Sequence, residues 1–266
     1  MNPSFFNATI NNYLPEPQAS LLKGIIFGIS LKTSKLFYQQ LKIVGLLHIV
    51  VLSGINITIL ASIVASLTKF LNKKTSIFIT IFTIVIFILF VGPQAPIIRA
   101  GIMGILTLVA VLYGRKAAAL YILFLSALLT LIFKPDWLKT ISFQLSYGAT
   151  LGIIIFGPAY QTGQNFGKIR YLIWKELKPS LAAQLFTVPI IFFYFKQISF
   201  ISPVANLLVS FIIPPLMVFG FLTVILGSIN FYLGVWPGFI SYLLLSYIVF
   251  VIENLSKIPY AFYQFR

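Results

Sequence analysis

The sequence of 266 residues contains no cysteine and a single histidine. The absence of cysteine excludes a disulfide framework, thiolate chemistry and Cys-based metal sites, and one histidine has no companion ligands to complete a metal shell. Carboxylates are almost as scarce, and the four of them are scattered along the chain at Glu16, Asp136, Glu176 and Glu253. No Ser/His/acid arrangement, glycine-rich phosphate loop or metal motif is present. The sequence therefore predicts no enzyme activity, no cofactor and no metal site.

Charged residues of either sign are also rare. They make up 9% of the chain, against 59% for hydrophobic residues, whereas a soluble domain carries about 25% charged residues. A helix needs about 20 residues to cross a bilayer, and the uncharged runs are of that order or longer, although 100–114 is short. They are apolar without alternation, which argues against a membrane barrel. We predict an all-α polytopic transmembrane helical bundle of about seven or eight spans, some of them short or broken, from the runs 43–68, 75–98, 100–114, 117–133, 140–167, 179–195 and 197–252.

The beginning of the chain differs from the rest. Residues 1–12 are predicted to be disordered or weakly ordered, and the prolines of 14–17 favour an extended backbone, so 1–17 forms an N-terminal extended segment and 18–266 a single membrane-embedded domain. No cleavable signal peptide is expected. Residues 18–42 predict an N-terminal amphipathic helix, either interfacial or packed sideways on the bundle. In the last run we expect a turn near 234–237 and a kink or break at Pro214-Pro215.

The charge balance is strongly positive, with 19 Lys and Arg against 4 Asp and Glu, a formal net charge of +15. Lysine and arginine are commonly enriched beside membrane spans. A polyanionic partner, such as nucleic acid or anionic lipid, would produce the same bias, and the two interpretations are compatible. The turns at 69–74, 115–116 and 168–178 carry nine basic residues, and with eight alternating spans the opposite side would carry the other ten, so the positive-inside rule does not fix the orientation. Giving more weight to short loops favours the first set as cytoplasmic.

Polar residues interrupt the first uncharged run. On a helix, Gly45, His48 and Asn56 share one face, and Ser53 lies just beyond it. A polar face at membrane depth must turn toward protein or water. It is either a helix-packing surface, on which small residues allow close approach, or the lining of a hydrated path. Ser53 and Gly54 could also loosen the helix and expose backbone groups to a cavity.

Later runs contain further polar positions. Arg99 follows a proline-rich break. Its side chain either extends to the membrane interface, so that the charge stays in water, or holds a fixed positive charge at a pore mouth, where it meets phosphate oxygens. Gln144 needs a hydrogen-bond partner inside a membrane, which favours a structural role, and Gln184 and Asn206 repeat this situation. Ser146 shares a helix face with other small hydroxyl residues.

Five motifs in order carry a resemblance to a known family. They are Pro15-Glu16-Pro17-Gln18-Ala19, the block His48, Ser53, Gly54 and Ile55, Pro96-x-x-Arg99-Ala100, the stretch from Pro135 to Ser146, and the stretch from Ala182 to Leu207. Together they resemble the polytopic channel domain of the ComEC competence family. In that family a second histidine follows Ser-Gly, where this chain has Asn56, and a second glutamate stands near the start, where it has Gln18. Both changes keep hydrogen-bonding capacity and remove a titratable group.

The resemblance implies a channel component that carries single-stranded DNA across the cytoplasmic (inner) membrane in natural transformation. It implies a lipid membrane and separately encoded nuclease, DNA-receptor or motor subunits as partners, and leaves an oligomer open. The chain is expected to be a channel domain alone, a split protein or a truncated reading frame. The alternatives are a transporter of another anionic solute or lipid and a non-transporting membrane scaffold. The candidate path-lining residues are His48, Ser53, Gly54, Asn56, Arg99, Gln144, Ser146, Gln184 and Asn206.

Overall fold

A computed structural model describes residues 5–29, 31–47, 54–92, 94–115, 118–157, 168–259 and 262–264. The predicted all-α membrane fold is confirmed, because these residues are mostly helical and strongly apolar. The helices are α1 (Phe5–Tyr13), α2 (Gln18–Phe27), α3 (Lys35–Val44), α4 (Gly54–Leu67), α5 (Lys73–Val91), α6 (Ala95–Leu112), α7 (Ala119–Phe133), α8 (Ile141–Phe156), α9 (Lys168–Phe195), α10 (Ser202–Ser210), α11 (Ile213–Ile229) and α12 (Phe231–Leu255), with a 3₁₀ turn at Pro135–Lys139.

The chain divides into two compact units. The first unit is Leu52–Tyr147 with Met1–Pro3, and the second is Ser4–Val51 with Gly148–Arg266, so the boundary falls inside α8. In the first unit α5 and α6 form a helical hairpin, α4 packs on both, and α7 packs on α6. Its outward-facing side chains are large and apolar, as in Phe78, Leu89 and Phe124, and such a surface suits contact with lipid tails.

The second unit is built on the α11–α12 hairpin, against which α1, α2 and α10 pack. Its core is aliphatic, with Leu22, Ile26 and Leu216 fully buried. Two short strands, β1 (Gln197–Ser199) and β2 (Phe262–Gln264), pair antiparallel with Gln197 opposite Gln264. The β1 strand connects α9 to α10.

The start of the chain departs from the prediction. Instead of a weakly ordered, extended segment, the structure has α1, whose Tyr13 hydroxyl donates to the Phe231 carbonyl oxygen at 2.7 Å. The predicted helix over 18–42 is two helices, because Gly28 ends α2 in a left-handed conformation (φ 64°) and Ser34 caps α3 by accepting from the Phe37 amide. The α2 helix is buried on nearly all sides, so only α3 is amphipathic.

Membrane spans can be counted by length and composition. Within the described residues, four helices are long and apolar enough to cross a bilayer: α5, α6, the Leu177–Tyr194 part of α9, and α12. The pair α10 and α11 adds a fifth candidate, bent by 52°. Shorter apolar helices are α2, most of α4 (Asn56–Leu67), α7 and α8. The count of seven or eight spans stays a prediction.

Of the two breaks expected in the last uncharged run, the structure has one and lacks the other. The break before Pro214-Pro215 is confirmed, because both prolines lie in the first turn of α11, where a missing amide is tolerated. The turn expected near 234–237 is wrong: Asn230 separates α11 from α12, and Pro237 lies inside α12. The glycines that suggested a turn have a packing role instead, since Gly234 and Gly238 leave room for the ring of Tyr13.

Candidate functional site

Arg99 lies one turn after the start of an apolar helix. The α6 helix begins at Ala95, with Pro96 in its first turn, so that Arg99 falls in the second turn. Its guanidinium reaches α4 at Gly54, where a Cβ atom would lie 2.7 Å from Nη2. Glycine is therefore the residue that lets this cation approach the α4 backbone.

Two other side chains contact the same guanidinium. Nη1 donates to the sulfur of Met103 at 3.6 Å, and the guanidinium carbon lies 5.8 Å from the ring centroid of Tyr147. We call Gly54, Arg99, Met103 and Tyr147 the arginine cluster. All four belong to the first unit, and the cation that the other three contact is partly buried.

The electrostatics of the first unit favour anions. Leu52–Tyr147 contains eight Lys and Arg residues and one acidic residue, Asp136, which is exposed in the 3₁₀ turn. Cations inside membrane helices usually mark an ion or substrate path. A guanidinium in low-dielectric surroundings attracts phosphate strongly and can bind two of its oxygens at once. The arginine cluster can therefore hold a phosphodiester group.

Other predicted residues of this unit have different surroundings. Asn56 is buried, with 2% of its surface exposed, on α4 two residues beyond Gly54. The Gln144 amide donates to the Leu138 carbonyl oxygen at 3.4 Å, which ties α8 to the 3₁₀ turn and fits the structural role expected of it. Ser146 is partly buried on α8. His48 and Ser53 lie outside the described residues.

In the second unit Gln184 and Asn206 are brought together. The Gln184 amide donates to the Ser202 hydroxyl at 3.3 Å, from α9 to α10, and the Asn206 amide donates to the Ser180 hydroxyl at 3.3 Å, from α10 to α9. Each helix thus supplies one amide and one hydroxyl, four residues apart and on one face. We call these two contacts the amide–hydroxyl pairs. In each pair the serine hydroxyl is the hydrogen-bond partner that an amide inside a membrane requires.

Sequence reasoning missed the residues that complete both groups. Ser180 and Ser202 stand four residues before Gln184 and Asn206, a spacing that places each serine beside its amide on the same helix face. Tyr147 directly follows Ser146, but one tyrosine among 43 aromatic residues carries no signal of its own. Among the predicted path residues, Gly54 and Arg99 are therefore in contact in the first unit, and Gln184 and Asn206 lie on two helices that hydrogen bonds join in the second.

Comparison with known proteins gives matches over most of the chain. A family model described as Competence protein matches residues 25–266. ComE operon protein 3 of Bacillus subtilis (strain 168) is 24% identical over 204 residues, which cover 74% of this chain and 25% of that protein. An uncharacterized protein of Aquifex aeolicus (strain VF5) is 28% identical over 171 residues, which cover 64% of this chain and 38% of that protein. The chain thus spans well under half of either relative. No solved structure matches it.

Proposed function

Because the chain belongs to the Competence protein family, we propose that it is a component of a DNA-uptake channel that carries single-stranded DNA across the cytoplasmic membrane in natural transformation. The observation that carries the proposal is the Arg99 guanidinium, held within an apolar helix against Gly54. A charged side chain inside a membrane-spanning helix is costly and usually functional, and the planar guanidinium of arginine matches the oxygens of a phosphodiester bidentately.

The charge of the whole chain supports the same substrate. Single-stranded DNA carries one negative charge per nucleotide, and a formal charge of +15 attracts such a polymer and raises its local concentration. Basic grooves with aromatic side chains are the usual way in which proteins hold single strands without reading sequence. In this proposal the arginine cluster contacts the strand, and the amide–hydroxyl pairs hold helices together.

The proposal is tested by reconstituting the chain in liposomes and measuring the entry of labelled single-stranded DNA. Nuclease, DNA-receptor and motor subunits are part of the proposal and are supplied in the assay. Arg99→Gln should lower entry by about tenfold to a hundredfold, the value of one charged hydrogen-bonded contact. Entry with Arg99→Lys should fall between that of the wild type and that of Arg99→Gln, because lysine keeps the charge and loses the bidentate geometry.

Arg115→Gln is the matched control, because Arg115 is exposed in the turn after α6. It makes the same change in net charge and should leave entry near the wild-type value. Entry that is unchanged in a folded Arg99→Gln protein would overturn the proposal. Movement of small anions instead of DNA would favour a solute or lipid transporter. Loss of folding in both Arg99 variants, with no specific effect on transport, would favour a scaffold.

A further inference from the structure

Tyr147 occupies a position between Arg99 and α7. Its ring stacks on Phe143, with centroids 4.1 Å apart and planes inclined by 25°, and it also receives the Arg99 guanidinium. Its hydroxyl lies 3.2 Å from the Ser126 hydroxyl and 3.4 Å from the Thr130 hydroxyl. Since both Ser126 and Thr130 are buried, these contacts fix the phenol end of the ring inside the unit.

The direction of these hydrogen bonds follows from counting protons. The Ser126 hydroxyl donates to the Leu123 carbonyl oxygen at 2.7 Å, and the Thr130 hydroxyl donates to the Ser126 carbonyl oxygen at 2.8 Å. Each hydroxyl has one proton, so neither has one left for Tyr147. Assigning both α7 protons to these carbonyl oxygens makes the Tyr147 hydroxyl the donor, shared between two acceptors on α7. A donating phenol keeps its ring electron-rich, which strengthens the contact with the guanidinium.

We propose that Tyr147 is the positioning residue for Arg99 and that Ser126 and Thr130 fix its hydroxyl. This inference rests on the proposed function, in which Arg99 contacts the DNA backbone. Tyr147 does not itself stack on bases, because Phe143 and the guanidinium already engage its ring. Its contribution is to keep the guanidinium in one orientation, so that less entropy is lost when phosphate binds.

The experiment measures binding of a fluorescent oligothymidylate to the full chain in nanodiscs over a range of salt concentrations. A single-strand phosphate contact contributes about 0.7 to the slope of log affinity against log salt, so Arg99→Gln should reduce the slope by about that amount. Tyr147→Leu should weaken binding by about twofold to thirtyfold, the range of one cation–π contact, and reduce the slope similarly. Tyr147→Phe and Ser126→Ala should weaken binding by about twofold to tenfold.

Combined variants separate positioning from simple packing. If Tyr147 acts through Arg99, Tyr147→Leu should add nothing to the loss caused by Arg99→Gln, and Ser126→Ala should add little to the loss caused by Tyr147→Phe. Additive losses would overturn the inference. Tyr121→Leu is the matched control, because Tyr121 is exposed on α7, and it should leave both affinity and slope unchanged.

A readout without DNA keeps the inference separate from the proposed function. The Nε–Hε NMR signal of Arg99, assigned by its loss in Arg99→Lys, should shift in Tyr147→Leu because the ring current is removed, and should shift less in Ser126→Ala. An Arg99 signal at the same position in Tyr147→Leu as in the wild type would overturn the positioning role. If Arg99→Gln binds DNA normally, the proposed function fails, and the shift of this signal in Ser126→Ala, which keeps the ring beside Arg99, still decides whether Tyr147 orients Arg99.

Discussion

The side chain of Arg99 fills the space that a side chain at position 54 would need. A Cβ at Gly54 would also lie 3.1 Å from the Cβ of Ala100, which is closer than most real contacts. Gly104 presents the opposite case on α6, because a Cβ there would meet only the Cδ1 atom of Ile84, at 3.7 Å. The arginine cluster therefore requires glycine at position 54, whereas position 104 can accept a larger residue.

Gly54→Ala should displace the guanidinium and lower DNA entry by about tenfold, close to the effect of Arg99→Gln, while the protein still folds. Gly104→Ala should keep entry unchanged and raise stability by up to about 1 kcal/mol, because alanine favours a helix over glycine. Entry of labelled DNA and thermal unfolding of both variants check this. Normal entry in Gly54→Ala would show that the position of Arg99 does not matter.

At this scale the sequence predicts residue types better than their contacts. The sequence predicts Gly54 and Arg99 as path residues because a small residue or a charge is conspicuous in an apolar run, and the structure brings the two together. Tyr147 was not predicted, because its role depends on α6, α7 and α8 meeting at one place. A ring that is apolar and common in the chain shows no anomaly until its neighbours are known.

At the scale of whole helices, α9 and α10 also show that the sequence predicts which residues need partners but not which partners they have. The sequence predicts that Gln184 and Asn206 need partners, since an amide in a membrane is costly without one. It could not name Ser202 and Ser180, because that pairing depends on α10 returning antiparallel to α9 after β1. The contacts are reciprocal, which favours the helix-packing interpretation over a hydrated lining for these two residues.

Ser202→Ala should lower the free energy of unfolding by about 0.6 kcal/mol and by no more than about 1.7 kcal/mol, the mean and the maximum measured for hydrogen bonds between membrane helices. The salt dependence of DNA binding should not change, because no charge is touched. Ser228→Ala is the control: Ser228 is exposed on α11 and donates to its own helix at the Ile225 carbonyl oxygen. Loss of DNA entry at unchanged stability in Ser202→Ala would indicate instead that this pair lines the path.

For the whole molecule, composition predicts the class and leaves the number of spans open. The scarcity of charge predicts a helical membrane protein, and the structure confirms this. The α4 and α7 helices have 14 and 15 residues, which at 1.5 Å per residue is shorter than a bilayer core of about 30 Å. Sequence runs include flanking turns and so overstate helix length, which is why run lengths alone could not settle the count.

The topology of the first unit makes its orientation testable. Because α5 and α6 form a hairpin, the turns at 68–72 and 113–115 lie at one end of it, and α7 then carries the chain back so that the 3₁₀ turn lies toward the other end. The first end has Lys69, Lys73 and Arg115 with no acidic residue between positions 52 and 115. The other end has Arg99, Lys134 and Lys139 beside Asp136, so the positive-inside rule predicts the first end, with its shorter turns, on the cytoplasmic side.

The absence of cysteine makes this orientation measurable without background labelling. Asn72 and Asp136 are both exposed, one at each end of the first unit, and acidic residues contribute little to orientation. In intact cells a membrane-impermeant maleimide should label Asp136→Cys, and should label Asn72→Cys only after the cells are permeabilised. The reverse pattern would put the basic turns on the outer side. Because Arg99 lies in the second turn of α6, near the end opposite these turns, the expected pattern places the arginine cluster toward the outer face, where an incoming strand would meet it first.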